Sequence, residues 1–161
     1  MPPLLSTSCL AAPFGRRVLI AIGIVGASAL LSTAFTDPHS QWFMDLAKPA
    51  FMPPDMVFGI VWAVVYAWTA LSIFWAIQGK SYAILWGYGL TLVLTSLWNF
   101  AFFYLHNPGA GTLILVAVLA CGAWTARQAF ARDTKAGIAL LPLVFWSAFA
   151  LVLNYAIYMS N

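Results

Sequence analysis

Lys48-Pro-Ala-Phe-Met-Pro-Pro-Asp-Met-Val-Phe-Gly-Ile-Val-Trp-Ala-Val-Val-Tyr66 begins as a charged, proline-rich loop and ends as an apolar helix. Pro49, Pro53 and Pro54 hold φ at about −65° and restrict the residues before them, which predicts a stiff, extended run from Lys48 to Pro54. Pro54 suits the first turn of a helix, where its missing N–H costs nothing, and Asp55 there favours the positive end of the helix dipole. From Met56 the chain is apolar, and Phe58, Trp62 and Tyr66 recur every four residues, which sets them on one helix face. A rigid loop feeding an aromatic-faced helix predicts a lid and a wall for a flat, apolar ligand.

The rest of the chain puts that helix in a membrane. Of 161 residues, 63% are hydrophobic and 7% charged, against roughly 25% charged in a soluble domain. A soluble globule of this length cannot cover so much apolar surface with so few charges. The apolar runs are long and unbroken rather than short and alternating, which predicts an all-α integral membrane bundle of five transmembrane helices in one domain. The spans fall at about 18–35, 56–77, 82–105, 110–130 and 137–159, within a membrane domain of 18–159 that follows an N-terminal segment of 1–17. Thr36-Asp37-Pro38, Gln78-Gly79-Lys80-Ser81, His106-Asn107-Pro108-Gly109 and Arg132-Asp133-Thr134-Lys135 separate them. One connection is long, the loop 36–55. Pro142 lies one turn into the fifth span, where it either kinks the helix or sits in its first turns.

Lys and Arg set the orientation. Arg16, Arg17, Lys80, Arg127, Arg132 and Lys135 fall on the side of the N-terminus, and Lys48 is alone on the other. That asymmetry predicts a cytoplasmic N-terminus in a bacterial inner membrane, with the long loop facing outward; a mitochondrial-type outer membrane is the lesser alternative. Residues 2–15 carry Pro2, Pro3 and Pro13 and precede the basic pair Arg16-Arg17, which does not fit a cleaved signal. Cys9 and Cys121 have no metal-ligand spacing, and no metal site is expected. A formal charge of +3, scattered along the chain, excludes a nucleic-acid surface.

Several kinds of chemistry have nothing to stand on. Asp37, Asp45, Asp55 and Asp133 all lie in loops or at helix ends, so no intramembrane carboxylate is available to couple transport to protons. His39 and His106 fall in loops, which excludes paired axial ligands from facing helices. No nucleophile–base set or phosphate loop is present. Small residues mark close approach instead. Ala83, Gly87 and Thr91 recur every four residues in the third span, continuing at Thr95, and either pack inside the bundle or form the interface of a homodimer.

The spans are rich in aromatic side chains, with eight Trp, six Tyr and twelve Phe. An interfacial belt accounts for Trp42, Trp68, Trp75, Trp86 and Trp124. It accounts less well for Trp62, Trp98 and Trp146. Trp98 has Asn99 beside it and Phe102 one turn on; Trp146 has Ala150 one turn on, followed by Leu153 and Asn154. Asn99 and Asn154 need protein or a cavity rather than lipid, as helix–helix contacts or as ligand contacts.

Three separated motifs resemble one family. Lys48-Pro49-x-Phe51-x-Pro53-Pro54 with Val57-x-Gly59-x-x-Trp62-x-x-x-Tyr66, then Trp98 with Phe102-Phe103, then Pro142-x-x-x-Trp146-x-Ala148-Phe149-Ala150-x-x-Leu153-Asn154-Tyr155, are similar to the signature of the translocator proteins. These are also called peripheral-type benzodiazepine receptors and, in bacteria, tryptophan-rich sensory proteins (TspO/MBR). The resemblance implies a five-helix bundle, commonly a homodimer, with a ligand cavity under the first loop. It implies porphyrins such as protoporphyrin IX and haem as ligands, with no cofactor required, together with synthetic isoquinoline or benzodiazepine ligands and membrane lipid as surroundings. By motif position it implies that Trp62 and Trp146 take part in light-dependent porphyrin degradation. Trp42, Phe51, Tyr66, Trp98, Ala150 and Asn154 are then expected to line or close the cavity.

The chain departs from the family pattern at Thr95-Ser96-Leu97-Trp98-Asn99-Phe100, where a proline pair is common, and at Phe51, where Trp is common. Leu153 and Tyr155 begin the C-terminal sterol pattern, but no basic residue follows them. The expected ligand contacts are Trp42, Lys48, Phe51, Phe58, Trp62, Tyr66, Trp98, Asn99, Phe102, Trp146, Ala150 and Asn154, with Lys48 pairing a propionate at the mouth. The functional expectation is a membrane receptor or sensor that binds porphyrin and promotes its photodegradation; the alternative is a transporter of tetrapyrroles or other small apolar molecules.

Overall fold

The computed structural model describes residues 13–78 and 82–161; Cys9, Lys80 and all but the last residues of the segment 1–17 lie outside the described residues. Among the described residues six α-helices follow one another: α1 (Phe14–Phe35), α2 (Gln41–Asp45), α3 (Asp55–Ala76), α4 (Leu85–Asn99), α5 (Pro108–Phe130) and α6 (Thr134–Ser160). A 3₁₀ turn, Tyr82–Ile84, leads into α4, and a π-helical turn, Phe100–Tyr104, continues it. Among the described residues there is no strand. Among the described residues five rods (α1, α3, Tyr82–Tyr104, α5 and α6) are long and apolar enough to cross a membrane.

Local chemistry sets the ends. Ser40 caps α2, its hydroxyl accepting from Phe43 N at 3.4 Å. Asn107 caps α5 by accepting from Ala110 N at 2.9 Å, with Pro108 in the first turn. Asp133 accepts from the N–H groups of Lys135 and Ala136 at 2.7 and 3.3 Å, so α6 begins at Thr134, earlier than its apolar run. Pro142 does not end α6, which continues through it.

The rods close a ring in which α1 packs on α3 and α4, α4 on α5, α5 on α6, and α6 back on α3. One half of the bundle is solid, built on Val65, Ile73, Tyr88, Leu92, Leu140 and Leu143. The other half, under the long loop, packs Phe43, Trp98, Phe102, Leu115 and Leu153 around a hollow.

Two expectations are corrected. The run from Lys48 to Pro54 is not uniformly extended: Met52 N donates to Pro49 O at 3.0 Å and closes a turn. Prolines constrain positions 49, 53 and 54, which leaves Ala50 and Phe51 free to reverse the chain. The third-span stripe packs inside one chain. A Cβ at Gly87 would meet Thr125 Oγ1 at 2.8 Å and the Trp124 ring at 3.0 Å, and the Thr91 hydroxyl lies 3.4 Å from that of Thr125. Gly87 and Thr91 are buried against α5, so they cannot also face a second copy; Ala83 is exposed.

Candidate functional site

The hollow is a chamber of about 640 Å³ bounded by α1, α3, the α4 rod, α6 and the long loop, within the roughly 300–1,000 Å³ of small-molecule sites. Its aromatic wall comes from three helices. From α3 come Phe58, Trp62 and Tyr66, brought to one face by their spacing of four. The α4 rod supplies Trp98, Phe102 and Phe103, and α6 supplies Trp146, Ala150, Leu153, Asn154 and Ile157.

Trp62 is the hub of this wall. It stacks on Trp98 (centroids 6.2 Å, planes at 29°) and meets Trp146 edge to face (6.5 Å, 90°). Tyr66 lies 5.6 Å from it, tilted by 32°. Phe58 meets Trp146 edge to face at 5.7 Å. Such geometries are worth about 0.5–1.5 kcal/mol per pair beyond burial.

Two of the indoles differ in how their N–H groups are used. Trp98 Nε1 donates to Asn154 Oδ1 at 2.9 Å, and Asn154 Nδ2 donates to Pro108 O at 2.7 Å and to Thr112 Oγ1 at 2.8 Å. One asparagine thus ties α4, α5 and α6 together. Gly111 permits this, since a Cβ there would lie 2.8 Å from Asn154 Oδ1. Trp146 Nε1 is buried and has no hydrogen-bond partner among the described residues. The ring of Trp62, perpendicular to that indole, is its aromatic neighbour.

The opposite wall is polar and comes largely from α1. Ala29, Ser32, Thr33 and Thr36 line it at helical spacing. Tyr66 donates its hydroxyl to Ser32 Oγ at 3.2 Å. The Thr36 hydroxyl lies 2.8 Å from Asn99 Oδ1 and 2.7 Å from Ser32 O, and Asn99 Nδ2 donates to Thr95 O at 3.0 Å. Behind them Ser96 bridges Ser28 and Ser32 at 3.1 and 3.2 Å, joining α1 to α4. Interhelical hydroxyl hydrogen bonds are one of the terms that hold helices together in lipid, beside close packing. Thr33, Gly59 and Ala63 line the chamber and are also exposed, so its flank between α1 and α3 is open.

The loop forms the roof. Phe43 is buried beneath it, 6.2 Å from Phe102 and 5.3 Å from Phe103. Trp42 stacks on His106 at 4.4 Å with planes 14° apart, and His106 holds φ at 52°, in the left-handed region. At the far edge Ala47 N donates to Asn161 Oδ1 at 2.9 Å, and Asn161 Nδ2 donates back to Ala47 O at 3.2 Å.

Of the expected contacts, Phe58, Trp62, Tyr66, Trp98, Asn99, Phe102, Trp146, Ala150 and Asn154 line the chamber. Three do not. Trp42 lies outside it, fastening the roof through His106 and Phe102. Phe51 is 51% exposed, carried outward by the Pro49–Met52 turn. Lys48 Nζ sits 4.4 Å over the Phe43 ring on the roof rather than at the lining. The sequence reading missed the α1 wall, although Ser28, Ser32 and Thr36, four apart in an apolar run, were a usable signal for a buried polar stripe. It also missed Phe43, which Ser40 places by starting α2, and Asp55 as a lining residue.

Residues 18–159 match the sequence pattern of the TspO/MBR family. The chain is 30% identical to the tryptophan-rich protein TspO of Archaeoglobus fulgidus, over 89% of this chain and 92% of that protein. It is 24% identical to protein CrtK of Rhodobacter capsulatus over 89% and 92% of the two chains. It is 28% identical to the human translocator protein over 75% of each.

Proposed function

Because the chain belongs to the TspO/MBR family of membrane sensor or translocator proteins and is an integral, multi-pass membrane protein, we propose that it is a receptor-type protein binding a flat, apolar tetrapyrrole such as protoporphyrin IX or haem in the chamber under the long loop. The observation that supports this most is the wall made by Trp62, Trp98 and Trp146, three indoles from three helices meeting at the chamber. Ring stacking and burial supply affinity, and the Ser32 and Thr36 hydroxyls with the Asn99 amide give the chamber one polar side. The charge asymmetry supports a roof on the non-cytoplasmic side of a bacterial inner membrane.

Trp62 and Trp146 also support light-dependent loss of the bound porphyrin. Photo-oxidation with molecular oxygen as the oxidant calls for no acid–base residue, and these two indoles, in edge-to-face contact at the chamber, would lie against the bound ring as electron-rich neighbours. The test is a titration of the purified protein with protoporphyrin IX, following tryptophan quenching in the dark and porphyrin absorbance under light. Saturable quenching and accelerated loss that Trp62→Phe and Trp146→Phe slow are the expected results. Loss at the same rate in both variants would remove the photochemical role.

A further inference from the structure

The chamber has an electrostatic preference that its aromatic wall does not reveal. Among the described residues that line it, Asp55 is the one with a formal charge. It stands in the first turn of α3, exposed, at the edge where the loop joins the helix. The rest of that end of the bundle does not offset it. Segment 36–55 carries Asp37, Asp45 and Asp55 against Lys48, and the Lys48 ammonium is turned onto the Phe43 ring. Arg16, Arg17, Arg127, Arg132 and Lys135 all lie at the other end, some five to six helical turns away along the rods.

We infer that Asp55 makes the chamber select flat ligands whose rim-facing substituents are neutral or basic, and discriminate against those that present a carboxylate there. The inference rests on the porphyrin reading of the chamber and deepens it. The polar groups available inside, Ser32, Thr36, Asn99 and Tyr66, are uncharged and largely satisfied by one another, so none compensates a carboxylate brought into the cavity. A carboxylate left near Asp55 meets a like charge at an exposed rim, and the two repel within the screening length of the solution. An amide, ester or amine on the same ring escapes that cost, and an amine gains from it.

Three porphyrins with one ring system separate the terms: protoporphyrin IX, its dimethyl ester, and its bis(dimethylaminoethyl) amide. Each is titrated against the wild-type protein and Asp55→Asn in uncharged-lipid nanodiscs, in the dark, by tryptophan quenching. Comparing the two proteins for each ligand cancels differences in partitioning into lipid. Asp55→Asn is expected to tighten protoporphyrin IX by roughly 3- to 10-fold, leave the ester within about 1.5-fold, and weaken the diamine by a factor similar to the first. The effect on the charged pair should shrink as salt rises, since the site is exposed. An equal change for all three ligands, no change for protoporphyrin IX, or a weakening of it overturns the inference. Absence of saturable quenching with all three in the wild-type protein instead removes the porphyrin reading, and this inference with it.

Discussion

The indole N–H of Trp98 donates to Oδ1 of Asn154 at 2.9 Å, and through that one asparagine α4 is joined to α6 and, by way of Pro108 and Thr112, to α5. This bond sets the plane of the ring on which Trp62 stacks. Asn154→Leu leaves the buried Trp98 donor without its acceptor, while the Pro108 carbonyl keeps the Thr112 hydroxyl at 2.9 Å. We expect it to lower stability by about 1–2 kcal/mol, read as a drop in thermal midpoint in detergent. An unchanged midpoint would mean that the bond contributes nothing net.

Trp98 and Trp146 should respond differently to the same change. Replacing Trp98 by Phe removes a satisfied buried donor, whereas Trp146→Phe removes a donor that has no hydrogen-bond partner among the described residues. Both lose similar ring area. The difference between the two variants is therefore expected to be about 1 kcal/mol in favour of Trp146→Phe. Equal thermal midpoints would show that the Trp146 N–H is in fact paired in the membrane.

Gly87 tests whether the small-residue stripe serves the bundle or a second copy. A Cβ there lies 2.8 Å from Thr125 Oγ1 and 3.0 Å from the Trp124 ring, so Gly87→Val overpacks the α4–α5 contact. Overpacking of this kind costs about 1–3 kcal/mol. The loss should appear in dilute detergent at any protein concentration. A loss that vanishes in the monomer, and shows only as weakened self-association, would return the stripe to an interface between chains.

The roof clasp predicts a local exchange signature. Ala47 N–H is held by Asn161 Oδ1 while Asn161 Nδ2 holds Ala47 O. In Asn161→Ala the Ala47 amide should exchange hydrogen about 10-fold faster, with the amides inside α5 unchanged. Equal rates at Ala47 in the two proteins would show that the roof is held by the Phe43 and Trp42 contacts alone.

The five spans and the α3 and α6 faces of the chamber were legible because each signal is periodic within one helix. Phe58, Trp62 and Tyr66 need only the helix pitch to share a face, and so do Trp146, Ala150, Leu153 and Asn154. What escaped depends on pairs of elements or on departures from regular geometry. The partnership of Ser28 and Ser32 with Ser96 requires knowing that α1 lies against α4. The π turn at Phe100–Tyr104 has no periodic signature, and its Leu105 N→Phe100 O bond of 3.0 Å becomes visible only with the backbone in place. Phe51 and Lys48 were misplaced for one reason: the Pro49–Met52 turn and the Phe43 ring redirect side chains that an extended loop would have aimed at the cavity.

Tryptophans from three helices form the proposed ligand site, and lipid-facing tryptophans provide the control. Trp86 and Trp124 are 84% and 53% exposed and lie outside the chamber. The measurement is the dark equilibrium affinity for protoporphyrin IX of Trp62→Ala beside that of the double variant Trp86→Phe, Trp124→Phe, all in the same nanodiscs. Loss of the Trp62 ring, which carries the contacts to Trp98, Tyr66 and Trp146, is expected to weaken binding by about 10-fold or more, equivalent to about 1.4 kcal/mol. The double variant is expected to bind as the wild-type protein does. Equal affinity in Trp62→Ala, or a comparable loss in the lipid-facing variant, would contradict the account.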